Sequence, residues 1–231
     1  MYGTIERGST GMPPSVPFDQ PKNLFRYGEQ TLWSTQLHAG AAGAVSLANG
    51  TFRLFTTPLG QVGQGFTNSL TIAETSLKEG GRVPAGIAYD VFGIACQVGR
   101  ATNTGDSALG DANSTVDSVR ILSEIQTNGI LTWDFTQTQV DIAPINLIGA
   151  GGGAFGSVSI SSEPQGTIGN MNNGAGSVFL YRKHPVALPG NSTFSILLRY
   201  GSRMGSLAAG QDSTFVRVVL MGYYKNVIEI G

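Results

Sequence analysis

From Gln30 onward the chain is cut into short apolar or alternating runs by clusters of Gly, Asn, Pro and Ser. This punctuation constrains the fold more than any other feature, because it leaves room for strands and turns but rarely for a helix. Thr51–Thr57, Asn68–Glu74, Ala88–Val98, Ile130–Thr136, Phe155–Ser161, Ser177–Arg182, Thr193–Tyr200 and Thr214–Tyr224 read as eight strands, and Thr31–His38 can head the series. A parallel α/β fold needs a helix after nearly every strand. Only Ser114–Gln126 has helical spacing, with Val116, Val119, Leu122 and Ile125 on one stripe. Ser114 or Thr115 can cap its start and Asn128-Gly129 can end it.

The expectation is therefore an all-β, antiparallel, eight-stranded jelly-roll sandwich with one inserted helix. Long Gly-rich connections and few two-residue hairpin turns favour a jelly roll over an up-and-down barrel. A double jelly roll needs about sixteen strands, so a single roll is preferred, with the double roll as the alternative. Alternation and continuous apolar runs predict a core of Phe92, Ile94, Cys96, Leu131, Trp133, Phe135, Phe194, Ile196, Leu198, Val216, Val218 and Leu220. Residues 1–30 differ from this body of residues 31–231. Pro13, Pro14, Pro17 and Pro21 stand among Gly, Ser and Gln, with few periodic apolar positions, and the segment reads as an extended arm.

Composition decides what such a body meets. Charged residues make up only 13% of the 231 and hydrophobic residues 41%. Much of the surface is therefore expected to face protein rather than water. The net charge of -1 argues against a nucleic-acid binder. The start of the chain has no basic stretch leading into an apolar one. No apolar run approaches the ~18 residues of a transmembrane helix. Both predict a soluble chain made inside the cell.

The chemical motifs are weak. Gly149-Ala-Gly151-Gly-Gly-Ala154 matches a dinucleotide fingerprint in letters. The residues after it read as a strand, not as the helix whose amides would hold a pyrophosphate, so no cofactor is expected. Two histidines, His38 and His184, cannot make a three-histidine zinc site, and one cysteine, Cys96, excludes zinc ribbons and fingers. No Gly-x-Ser-x-Gly elbow accompanies either histidine. Glu74 and Glu79 bracket Lys78 as a solvated turn. Asn49, Asn113 and Asn191 begin glycosylation sequons on paper but read as turn residues. No catalytic, cofactor or metal residues are expected, and the chain reads as a non-enzyme.

Glu74–Ile94, with its Gly81-Arg-Val-Pro84-Ala-Gly86 centre, resembles a stretch of jelly-roll coat proteins from tailless icosahedral bacteriophages, where it leads into a long core strand. Leu188–Ile196 and Phe215–Tyr224 resemble their last two strands, and Pro144–Gly153 their Gly-rich loop. Ser76 stands where that group has Asn, and Tyr223-Tyr224-Lys225-Asn226 where it ends Arg-Pro-Val. The resemblance implies a major capsid protein with its strands upright to the shell, self-assembling through trimers or hexameric capsomers. It further implies neighbours such as a penton protein, an internal membrane as one possible partner, and a place in the virion after synthesis in the host cytoplasm. Arms in this group commonly bridge subunits, which assigns that role to Pro13, Pro14, Pro17, Phe18, Pro21 and Phe25. The alternative is a jelly-roll spike or carbohydrate- or host-binding domain.

Overall fold

The computed structural model describes residues 24–38, 45–101, 122–135, 138–148, 154–155, 158–160, 167–169, 172–173, 178–181, 184–207 and 213–228. In chain order the strands are β1 Leu24–His38, β2 Val45–Ser46, β3 Thr51–Leu54, β4 Ile87–Ala101, β5 Gly129–Phe135, β6 Thr138–Pro144, β7 Ala154–Phe155 and β8 Val158–Ile160. β9 Thr167–Gly169, β10 Asn172–Asn173, β11 Phe179–Leu180, β12 Val186–Leu188, β13 Phe194–Tyr200, β14 Ser206–Leu207 and β15 Ser213–Ile228 follow. The molecule is mostly β, and its paired strands run antiparallel.

Two sheets carry the body. The first runs β1-β15-β4-β11, with β12 also on β4; the second runs β3-β13-β5-β6. β11 and β12 lie on β4 at successive positions, Phe179 opposite Ile94 and Val186 opposite Val91, so together they form one interrupted strand. Val98, Cys96, Ile94, Val216, Val218 and Leu220 of the first sheet share one core with Leu54, Leu131, Trp133, Phe194, Ile196 and Leu198 of the second. This is a sandwich-like arrangement in which alternate residues of the central strands enter the shared layer.

The predicted core holds with two corrections. Phe135 is only partly buried; it stacks on Trp133 at 5.5 Å between ring centroids. Phe92 is not in the core cluster. Between Met221 and Gly222 the register shifts, so that Met221 faces Gly93 while Gly222 faces Val91, and Phe92 is the extra residue of a bulge. The bulge reverses the alternation: Tyr89 and Val91 point inward on one side, Ile94, Cys96 and Val98 on the other. Phe92 turns outward instead, its ring 4.9 Å from that of Tyr223.

Several boundaries also move. Asn68–Glu74 is not a strand. Thr71 donates from both its amide and its hydroxyl to the Glu74 carboxylate, and the Glu74 and Thr75 amides return to the Thr71 carbonyl, which coils the segment. β3 stops at Leu54 because Phe55 takes a φ of 65°. β1 begins at Leu24 rather than Thr31, so residues 24–30 of the expected arm are sheet. Residues 122–128 are helical, with Leu122 and Ile125 buried, while 114–121 lie outside the described residues. The predicted stop holds: a Cβ on Gly129 would stand 2.6 Å from the Ile125 carbonyl, so only glycine lets the chain pass straight into β5.

Candidate functional site

The outer face of the second sheet carries a polar ladder, with Leu197 buried within it and Ile130 exposed at its end. Ser195 and Gln139 both lie opposite Asp134 in register. The Ser195 hydroxyl donates to Asp134 Oδ2 at 3.1 Å, the Gln139 amide to Oδ1 at 3.0 Å, and Arg53 Nη1 stands 3.2 Å from Oδ2. Thr132 donates to Asp141 at 2.7 Å, and Arg199 reaches both Gln139 and Asp141. The Arg53 side chain is 61% exposed and that of Asp141 72%, so each ion pair is worth about 0–1 kcal/mol. The rim of this face is wet, while Thr132, Ser195 and Leu197 at its centre are buried. Ser195 has a carboxylate but no imidazole beside it, which leaves it without the base a nucleophile needs.

The outer face of the first sheet is different in kind. Phe215, Val219, Met221 and Tyr223 of β15 alternate with the inward Val216, Val218 and Leu220, and they adjoin Phe92 of β4 and Trp33 of β1. Leu180 on β11 is 48% exposed. Arg217 sits among them, but its guanidinium is committed. It donates to the Thr35 hydroxyl at 3.1 Å and the Ala73 carbonyl at 2.8 Å, and lies 5.6 Å above the Phe215 ring. Two glycines let aromatic rings lie flat on this sheet. A Cβ on Gly28 would meet the Tyr224 ring at 2.3 Å, and one on Gly99 the Phe215 ring at 2.5 Å.

Titratable groups inside the sandwich are structural. His38 is 3% exposed; its Nε2 is 2.7 Å from the Tyr200 hydroxyl, and burial holds its pKa down at about 4. Burial pushes the Cys96 thiol up to about 12, too high for a nucleophile or a ligand at neutral pH. Burial and the neighbouring Cys96 both raise Tyr200. Tyr89 is raised by burial and donates to the carbonyls of Gln30 and Leu220, its ring lying over Gly222. A cleft of about 170 Å³ has Leu32, Val83, Ile87 and Phe194 in its wall and Lys78 and Glu79 at its edge.

Pro13, Pro14, Pro17, Phe18 and Pro21 lie outside the described residues, and so do Gly149–Gly153. Phe25 is in β1, opposite Val227. His184 is exposed. Asn49 and Asn191 take φ of 58° and 64°, the left-handed turn geometry that asparagine tolerates, while Asn113 is outside the described set. Among the described residues no three His, Cys, Asp or Glu come together as a metal site. Sequence reasoning missed the contrast between the two outer faces. Its signal was present in Phe215–Tyr224, which is apolar on both parities except at Arg217. No known protein family, curated protein or solved structure matches this chain.

Proposed function

We propose that the chain is a non-catalytic coat subunit built on a single jelly roll, which assembles with copies of itself into an icosahedral shell. With β11 and β12 counted as one, the strands β1, β3, β4, β5, β6, β11/β12, β13 and β15 can be numbered one to eight. The first sheet then reads 1-8-3-6 and the second 2-7-4-5. Within the sheets, one pairs with eight, two with seven, three with six and four with five, as when one long hairpin is rolled up on itself. That order supports the jelly-roll reading.

The observation that carries the assembly reading is the contrast of the outer faces. A polar ladder interrupted by Leu197 and Ile130 covers one sheet, and half-buried aromatic and aliphatic side chains with exposed Leu180 cover the other, on a chain with 13% charged residues. Apolar sheet surface of this kind gains about 25 cal/mol for each Å² it hides from water. A shell gives it somewhere to hide. Electron microscopy and light scattering of the purified protein test the reading, with Leu180→Glu as the variant. The wild type is expected to form closed particles, and Leu180→Glu to stay as folded, unassembled subunits. A wild type that forms no particles across salt and concentration overturns the coat reading, and a variant that assembles equally well moves the contact elsewhere.

A further inference from the structure

Among the described residues β1 is the edge of its sheet, and its outer edge is treated differently along its length. Trp33 donates its amide to the Ser76 hydroxyl at 2.8 Å and accepts from the Ser76 amide at 3.0 Å. The Thr35 carbonyl accepts from the Gln64 side chain at 2.8 Å, and the Leu37 amide donates to the Gln64 carbonyl at 2.8 Å. Thus the odd-numbered residues of β1 turn their backbone groups away from β15, and the β3–β4 loop covers them from Trp33 onward. The ladder with β15 has no bulge, so Phe25, Tyr27, Glu29 and Thr31 turn theirs the same way. There the loop no longer bonds the edge: past Ser76 it shares a cleft with Gln30 and Leu32 and runs on to β13, where Arg82 bridges Thr193. Among the described residues nothing pairs with this stretch, and Glu29, Gln30 and Thr31 are exposed. It is an open row of donors and acceptors about 20 Å long.

We propose that residues 24–32 of β1 pair edge to edge, antiparallel, with the same residues of a second copy. A two-fold axis perpendicular to the sheet requires opposed residues of equal parity. Centred on Gly28, it sets Phe25 against Thr31 and Tyr27 against Glu29, twice each. All four open residues of both copies then exchange backbone bonds, about eight in total. No like charges meet, since Arg26 falls opposite Gln30. Moving the axis to Glu29 would oppose two carboxylates, which is unfavourable. The length also fits. Leu24 falls opposite Leu32, and any further pairing would run into Ser76 where it holds Trp33. The ladder is therefore bounded at Leu24, where β1 itself begins. This contact does not depend on the coat reading, because a chain that builds no shell can still dimerise through β1.

Amide hydrogen exchange measured against protein concentration, together with analytical ultracentrifugation, tests it on the full chain. The amides of Tyr27, Glu29 and Thr31 are expected to exchange freely in dilute monomer and to gain at least about tenfold protection as dimer forms. Those of Gln30 and Leu32 are expected to be protected throughout. Glu29→Pro removes an amide that points away from β15, so the β1–β15 ladder is kept, and the dimer dissociation constant is expected to rise at least about tenfold. Thr31→Pro serves the same purpose if circular dichroism shows Glu29→Pro to be unfolded. A wild type that stays monomeric to about millimolar concentration overturns the proposal. So does a folded proline variant that dimerises as well as wild type. Protection of the three odd amides already in the monomer also overturns it, since the chain's own leading residues would then occupy the edge.

Discussion

Thr214 Oγ1 is buried with no hydrogen-bond partner, the one such side-chain atom among the described residues. A hydroxyl removed from water without a partner costs about 1–3 kcal/mol, and valine has nearly the same shape. Thr214→Val is therefore expected to stabilise the protein by about 1 kcal/mol in a urea titration; a loss of stability would show that the hydroxyl has a use. His38 gives the opposite lesson. Its neutral ring bonds Tyr200 and packs edge-on against Phe52 at 4.6 Å. With a folded pKa of about 4 against an ordinary 6.5, the unfolded chain takes up the proton first as pH falls. The contribution of His38 is complete above pH 6.5 and is lost progressively down to pH 4; the total is on the order of 3 kcal/mol. Denaturation midpoints of wild type and His38→Gln, followed from pH 7.5 to 4, are expected to converge as pH falls. Parallel curves would show that the histidine does not titrate in that window.

At the scale of elements, the bulge on β4 governs which side chains reach the core. Gly222 stands beside it, and a Cβ there would lie 2.5 Å from the Asp90 carbonyl and 2.7 Å from the Tyr89 ring. Gly222→Ala is expected to cost about 1–3 kcal/mol by overpacking, while Gly201→Ala, where nothing lies within 4 Å, serves as the neutral control. Thermal melts of the pair decide it. The bulge also explains where sequence reading failed. Phe92 shares the parity of Ile94 and Cys96, and nothing in the letters announces that the alternation reverses between them. The strands with strong apolar faces, β4, β5, β13 and β15, were legible because burial on a pleat leaves a period of two. β6 was not, since it lies at the edge of its sheet and Thr138–Asp141 are all exposed. β12 has three residues, too few to show any period. Asn68–Glu74 misled in the other direction: Leu70, Ile72 and Glu74 alternate, yet Ile72 is 59% exposed and side chain-to-backbone bonds dictate the path. Of the candidate site, the absence of motif context was readable, but an apolar outer face depends on which strands become neighbours.

For the whole molecule, the first and last of the described strands are partners: β1 pairs with β15 along its full length, Leu24 opposite Ile228 through His38 opposite Thr214. Where the chain can be trimmed follows from this. A protein starting at Leu24 keeps the whole of this ladder. One starting at Thr31 forfeits seven ladder positions and should melt lower by several degrees, on the usual scale of about 4 °C or less per kcal/mol for a chain this long. Equal melting of the two would show that residues 24–30 add nothing to the sheet. The same pairing has a temporal side. β15 lies between β1 and β4, yet it is the latest of the described strands in chain order. A nascent chain therefore holds β1 and β4 without the strand that separates and joins them. Each of them exposes a long unsatisfied edge until translation reaches Ser213–Ile228. Sheet closure therefore waits on the synthesis of β15, and until then the growing polypeptide is open to chaperones and to mispairing with its siblings on the same messenger.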